Sequence, residues 1–179
     1  MTFLLPRRAL AMIAPVLALL AIGAATASAH HHSATSEKLV VRGEGTVTDG
    51  GPCPGGVCKL AVTDGVFRGA PVGSGAYTTD VDLHVAEAFP NGEGGVCAPI
   101  EARIVLGTGT PDRLVLAVKG DSCQDGAGDP TTTAFTGLAR FSVKQGTGKY
   151  KGARGRGVAT FLEGADDHER MTLIGRIVR

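Results

Sequence analysis

The sequence predicts an all-β protein, an eight-stranded antiparallel up-and-down barrel. Three observations predict it. Apolar and polar residues alternate at period two in one segment after another, breaks rich in Gly, Asp and Pro separate the segments, and no window beyond residue 29 holds a 3.6-residue period. Eight antiparallel strands joined by short turns close most simply as a barrel, which removes the exposed sheet edges. A two-sheet sandwich is the competing arrangement that the same alternation allows.

The chain has 179 residues and opens with an export signal. Arg7 and Arg8 provide a positive start, Ala9 to Ala25 is an apolar run broken by Pro15, and Ala27-Ser28-Ala29 has the small-x-small form of a cleavage site. Pro6-Arg7-Arg8-Ala9-Leu10 half matches a twin-arginine signal, so either export route is open. Residues 1–29 therefore read as a cleavable leader, 30–38 as a flexible segment and 39–179 as one barrel domain, released outside the cell. Cutting after Ala29 would expose His30, His31 and His32. A free amine with His at the third position can wrap Cu(II) or Ni(II) in a square-planar set of nitrogens.

The strands follow in order. Leu39 to Thr48 and Cys58 to Phe67 flank a small Cys-bounded loop. Tyr77, Thr79, Val81, Leu83 and Val85 alternate with Thr78, Asp80, Asp82 and His84. Ile100 to Leu106 and Leu114 to Lys119 flank the turn material Gly107 to Asp112. Phe135, Gly137, Ala139, Phe141 and Val143 form one face of the next strand, Gly155, Gly157, Ala159 and Phe161 one face of the seventh, and Met171, Leu173, Gly175 and Ile177 one face of the last. Glycine at inward positions such as Gly155 and Gly157 suits the sharp coiling of a small barrel.

Register predicts the disulfides. With Leu106 opposite Leu114, Ile104 faces Leu116, Ala102 faces Val118, and Glu101 meets Lys119 as a cross-strand ion pair. The same register sets Cys97 opposite Cys123, and elimination leaves Cys53 with Cys58 across Pro54-Gly55-Gly56-Val57. Two disulfides suit an exported chain. The other reading of Cys53 and Cys58, half a zinc site, lacks a second ligand pair at the right spacing.

The segment Gly146-Thr147-Gly148-Lys149-Tyr150-Lys151-Gly152-Ala153-Arg154-Gly155 resembles the glycine-rich strand–turn–strand of allene oxide cyclase and dirigent proteins. Phe67-Arg68-Gly69-Ala70-Pro71-Val72-Gly73-Ser74-Gly75-Ala76-Tyr77 is similar to the earlier glycine-rich segment of their bacterial exported relatives. The resemblance spans roughly Asp64 to Arg179. It implies an eight-stranded barrel with an apolar cavity, packed as a trimer in many members and using no cofactor. Allene oxide cyclase closes a reactive epoxide into a ring, and dirigent proteins orient radicals made elsewhere. The resemblance carries the fold and assigns no residue a role.

Motifs of catalysis are sparse. Gly73-Ser74-Gly75 is not a nucleophile elbow, and no helix follows Gly146-x-Gly148 to receive a phosphate. Asp80, Asp82 and His84 share one strand face and could present metal ligands, but they read better as the solvated outside of a strand whose inner face is Val81 and Leu83. Asp121, Asp125 and Asp129 lack the spacing of an EF-hand and read as a polar turn. The inward polar candidates are Asp64, in step with Leu60 and Val62, and Tyr77 and Thr79, in step with Val81 and Leu83. A carboxylate in such an interior would have its pKa raised by desolvation.

Composition narrows the function. The 18 Lys+Arg and 17 Asp+Glu give a formal net charge of +1, or −1 once Arg7 and Arg8 leave with the leader. Such a balance supplies no overall basic excess for nucleic acid or an anionic membrane. Two Tyr, six Phe and no Trp leave few platforms for stacking bases. The expectation is a secreted barrel that binds or orients a small apolar molecule without a cofactor. The alternatives are a cofactor-free cyclase or isomerase, and a structural or interaction barrel with a filled core. Val105, Val115 and Ala117 on the outer face lend the last some support.

Overall fold

The computed structural model describes residues 35–124, 135–164 and 166–179. Its strands are β1 (Ser36–Asp49), β2 (Val57–Ala70), β3 (Gly73–His84), β4 (Phe89–Pro90), β5 (Val96–Leu106), β6 (Leu114–Gln124), β7 (Phe135–Gly146), β8 (Arg154–Glu163) and β9 (His168–Val178). The hydrogen-bonded order is β3-β2-β1-β9-β8-β7-β6-β5-β4, and β3 also pairs with β5. That pairing closes eight antiparallel strands into a barrel and leaves β4 as a two-residue addition on β5. Among the described residues no helix is long and apolar enough to cross a membrane.

The β5–β6 hairpin has the expected register, with Leu106, Ile104, Ala102, Glu101 and Cys97 opposite Leu114, Leu116, Val118, Lys119 and Cys123. Lys119 pairs with Glu101, and the disulfides are Cys97–Cys123 and Cys53–Cys58.

Several boundaries differ from expectation. β1 begins at Ser36, because Ser36 to Lys38 pair with Arg176 to Val178 at the end of β9. The stretch between the two expected strands, Arg68 to Ala76, is almost all strand. Gly69 faces Gly73 and Phe67 covers Gly75, so the turn shrinks to Pro71 and Val72, with a cis Ala70–Pro71 bond. β3 stops at His84, where Val85–Glu87 makes a single 3-10 turn. β4 escaped the alternation because it is too short to show any, and Pro90 is tolerated there because an edge strand need not donate its N–H.

The interior is packed at one end and hollow at the other. At the end that carries the β2–β3 turn, Phe67, Val72, Tyr150, Leu114 and Ile177 are buried together, and the Tyr150 hydroxyl donates to the Val72 carbonyl at 3.3 Å. A middle layer of Val41, Tyr77, Ile104, Leu116, Phe141, Met171 and Leu173 follows. Gly157 faces Gly175 across β8 and β9, and the Phe141 ring lies over the pair: a Cβ at either glycine would fall 2.6 or 2.8 Å from that ring. Glycine here makes room for an aromatic that fills the barrel's centre. Val105 is buried, and Val115 and Ala117 are half-buried, so the outer face near β5 and β6 presents no large exposed apolar residue at these positions.

Candidate functional site

Past the middle layer the barrel encloses a cavity of about 200 Å³. It opens toward the end that carries both disulfides, and all eight barrel strands contribute to its wall. Leu60, Val62, Val81, Leu83, Ile100, Ala102, Phe135 and Phe161 make it mostly apolar, and Glu163 and Glu169 are its interior acids. Phe135 and Phe161 line the space rather than fill it.

Glu169 is the most deeply buried charged side chain among the described residues, at 6% exposure. It stands on the inward row that continues as Met171 and Leu173, directly opposite Glu163 on β8. Burial pushes its pKa up to about 7; the Tyr77 hydroxyl bond pulls the other way, and the neighbouring Glu163 adds to the rise. Glu163 is also raised, by its own burial and by Asp167. The Tyr77 hydroxyl donates to Glu169 Oε1 at 3.2 Å. Desolvation first, and the carboxylate second, hold the phenol in its protonated form far above the usual range.

Glycines set this geometry. Gly65 lies directly opposite Tyr77, and a Cβ on it would fall 2.3 Å from the Tyr77 ring, while one on Gly43 would fall 3.0 Å away. The ring therefore lies flat across a floor of bare backbone, and its hydroxyl reaches β9. A register shift between Glu44 and Val47 on β1, mirrored between Val62 and Gly65 on β2, brings Gly65 into that inward place.

The same shift corrects the expectation for Asp64. Its step with Leu60 and Val62 is broken by the bulge, so Asp64 is exposed and accepts a hydrogen bond from the Thr46 N–H at 3.2 Å. It does not line the cavity. Tyr77 and Thr79 face inward and are fully buried, but they too stand outside the residues that line the cavity; Tyr77 reaches it only through Glu169. The Thr79 hydroxyl is buried without a hydrogen-bond partner. Glu163 and Glu169 were missed because the recognisable alternation ended at Phe161 and began at Met171. Stepping two residues outward along each row would have found both.

The other candidates are separated. Asp82 pairs with Lys59 at 2.6 Å, Asp80 with Arg103 at 3.9 Å and His84 with Glu87 at 3.6 Å, each a different partnership on the outside of β3. No group of three or more metal-ligating side chains occurs among the described residues. Ser74 is exposed near the start of β3. His30, His31, His32, Asp125 and Asp129, and the whole leader, lie outside the described residues.

No protein-family model, curated protein or solved structure matches the chain.

Chemically, the site is an apolar chamber with a proton-holding corner. An acid with a pKa near 7 can give or take a proton at neutral pH. Paired with a phenol that stays protonated, it can also hold the polar end of a ligand while the chamber holds the apolar body.

Proposed function

We propose that the protein is a secreted barrel that binds a small, mostly apolar molecule in its interior, with one polar group of that molecule against Glu169, whose carboxyl Tyr77 holds in place. The observation that carries this reading is the cavity of about 200 Å³ reached by all eight strands. A dry apolar cavity of roughly 150 Å³ already admits a benzene-sized guest, so the occupant is a compact ring or short chain. The two disulfides suit release into an oxidising compartment, and the small-x-small site before His30 supports cleavage of a leader.

The direct test is native mass spectrometry of the secreted protein, followed by titration with small aromatic probes of graded size. Saturable one-to-one binding that disappears in Ala102→Leu, where the added side chain fills the cavity, supports the proposal. A variant that still binds every probe moves the ligand elsewhere. Sequencing the amino terminus of the secreted form tests the leader.

The buried acid beside the cavity favours a second reading, a cofactor-free cyclase or isomerase of the kind the resemblance implies. Under that reading Glu169 exchanges a proton with the substrate, and Glu169→Gln abolishes turnover of an unsaturated epoxide while probe binding persists. Turnover unaffected by that change removes the enzymatic reading and leaves the binding one standing.

A further inference from the structure

One wall of the barrel collects positive charge that the net balance conceals. On the outside of the sheet, Arg156 faces Arg176, and Arg176 faces Lys38. Four residues along β1 from Lys38, Arg42 faces Arg68. Like charges directly opposite each other in antiparallel pairs oppose folding, yet this wall sets them side by side. All five are exposed. Among the described residues none has a carboxylate within ion-pair distance, since the ion pairs fall elsewhere. Glu44, opposite Arg170, is an outward acid beside them. Arg42, Arg68 and Arg170 share a surface groove of about 430 Å³ with it. By contrast, Lys59, Arg103 and Lys119 on the wall around β2, β3, β5 and β6 are each paired with an acid.

Between the two cationic rows runs an aliphatic one. Val158 faces Ile174 across β8 and β9, and the two are 44% and 52% exposed. On β7 the residue that faces Val158 is the exposed Arg140, and Leu138, opposite Thr160, is 64% exposed. We propose that this wall docks on an anionic lipid surface, with the guanidiniums on headgroup phosphates and Val158 and Ile174 at the acyl boundary. Amphipathic elements that lie on membranes combine these features, cations ringing an aliphatic strip. A second copy in a two-fold contact would set this wall against itself, cation against cation. Single-stranded nucleic acid would want exposed aromatics to stack on, and this wall offers aliphatic side chains instead.

The test is cosedimentation of the purified protein with vesicles of phosphatidylcholine alone or mixed with phosphatidylglycerol. Binding is expected to the mixed vesicles, to weaken as salt is raised, and to be near background on the neutral ones. Arg156→Gln/Arg176→Gln removes a repulsive cross-strand pair, so the barrel should survive; circular dichroism checks this. Its affinity for mixed vesicles should fall by about fivefold for each guanidinium removed. Ile174→Thr should lower the salt-resistant part of binding. Equal binding to neutral vesicles, no binding to either, an unaffected double variant, or retention on heparin without vesicle binding would each overturn the proposal. The salt dependence of the unaltered protein decides the matter independently of any variant.

Discussion

At the scale of single residues, Glu169 links the interior to pH. Its carboxyl has an ordinary value near 4.5 and rises to about 7 in the folded barrel. The folded state therefore holds a proton that the unfolded chain releases between those values, so stability falls as pH rises from about 4.5 to about 7 and levels off above. The loss attributable to this residue is on the order of 3 kcal/mol. Urea denaturation at pH 5 and pH 8 should show it, and Glu169→Gln should flatten that part of the profile. Tyr77→Phe should shift the midpoint of the profile upward, because the phenol's bond favours the ionised carboxylate. An unchanged midpoint would mean that the 3.2 Å contact does not persist in solution.

Within elements, close backbone approach and covalent ties decide local strength. Gly157 and Gly175 face each other beneath the Phe141 ring. Gly157→Ala places a methyl where the ring and the Ile174 carbonyl already lie, and overpacking of this kind costs about 1–3 kcal/mol. Adding Phe141→Leu should recover part of the loss, which a double-mutant cycle by thermal melting can measure. The disulfides differ in the span that they close, with sequence separations of 26 for Cys97–Cys123 and 5 for Cys53–Cys58. Replacing the first pair by Ser should destabilise more than replacing the second, by about 1 kcal/mol on the loop-entropy argument. Equal losses would show that the small loop is held for a local reason that chain entropy does not describe.

For the molecule as a whole, the packed end and the hollow end predict opposite responses to added volume. Ala102→Leu, in the cavity wall, should leave stability level or raise it, because the new atoms enter empty space. Ala153→Leu, buried at the packed end beside Tyr150, should cost about 1–3 kcal/mol. Thermal melts of the two variants compare the ends directly. The outer surface is polarised as well: among the described residues, one wall carries cations outside any ion pair and another carries matched ion pairs, in a chain whose formal charge is close to zero.

Local alternation by itself determined the all-β class, the strand count of the barrel, the β5–β6 register and the Cys97–Cys123 disulfide, and elimination then left Cys53 with Cys58. Period two places every second side chain on one face, and a hairpin with a short turn leaves a single register that buries the apolar row. That logic holds only while the alternation is unbroken. A bulge is one irregularity in the backbone, invisible in composition, and it moved Asp64 to the surface while turning Gly65 inward beneath Tyr77. Glu163 and Glu169 lay one step beyond the apolar rows that defined their strands, so only the facing of β8 and β9 made them a pair. Tertiary structure alone decided where the interior is hollow, since that depends on which layers from eight strands meet at the same height. It also decided the arginine wall, because Lys38, Arg68 and Arg156 belong to strands far apart in sequence and become neighbours through barrel closure. Net charge sums over the chain, whereas a docking partner meets the charges of one face.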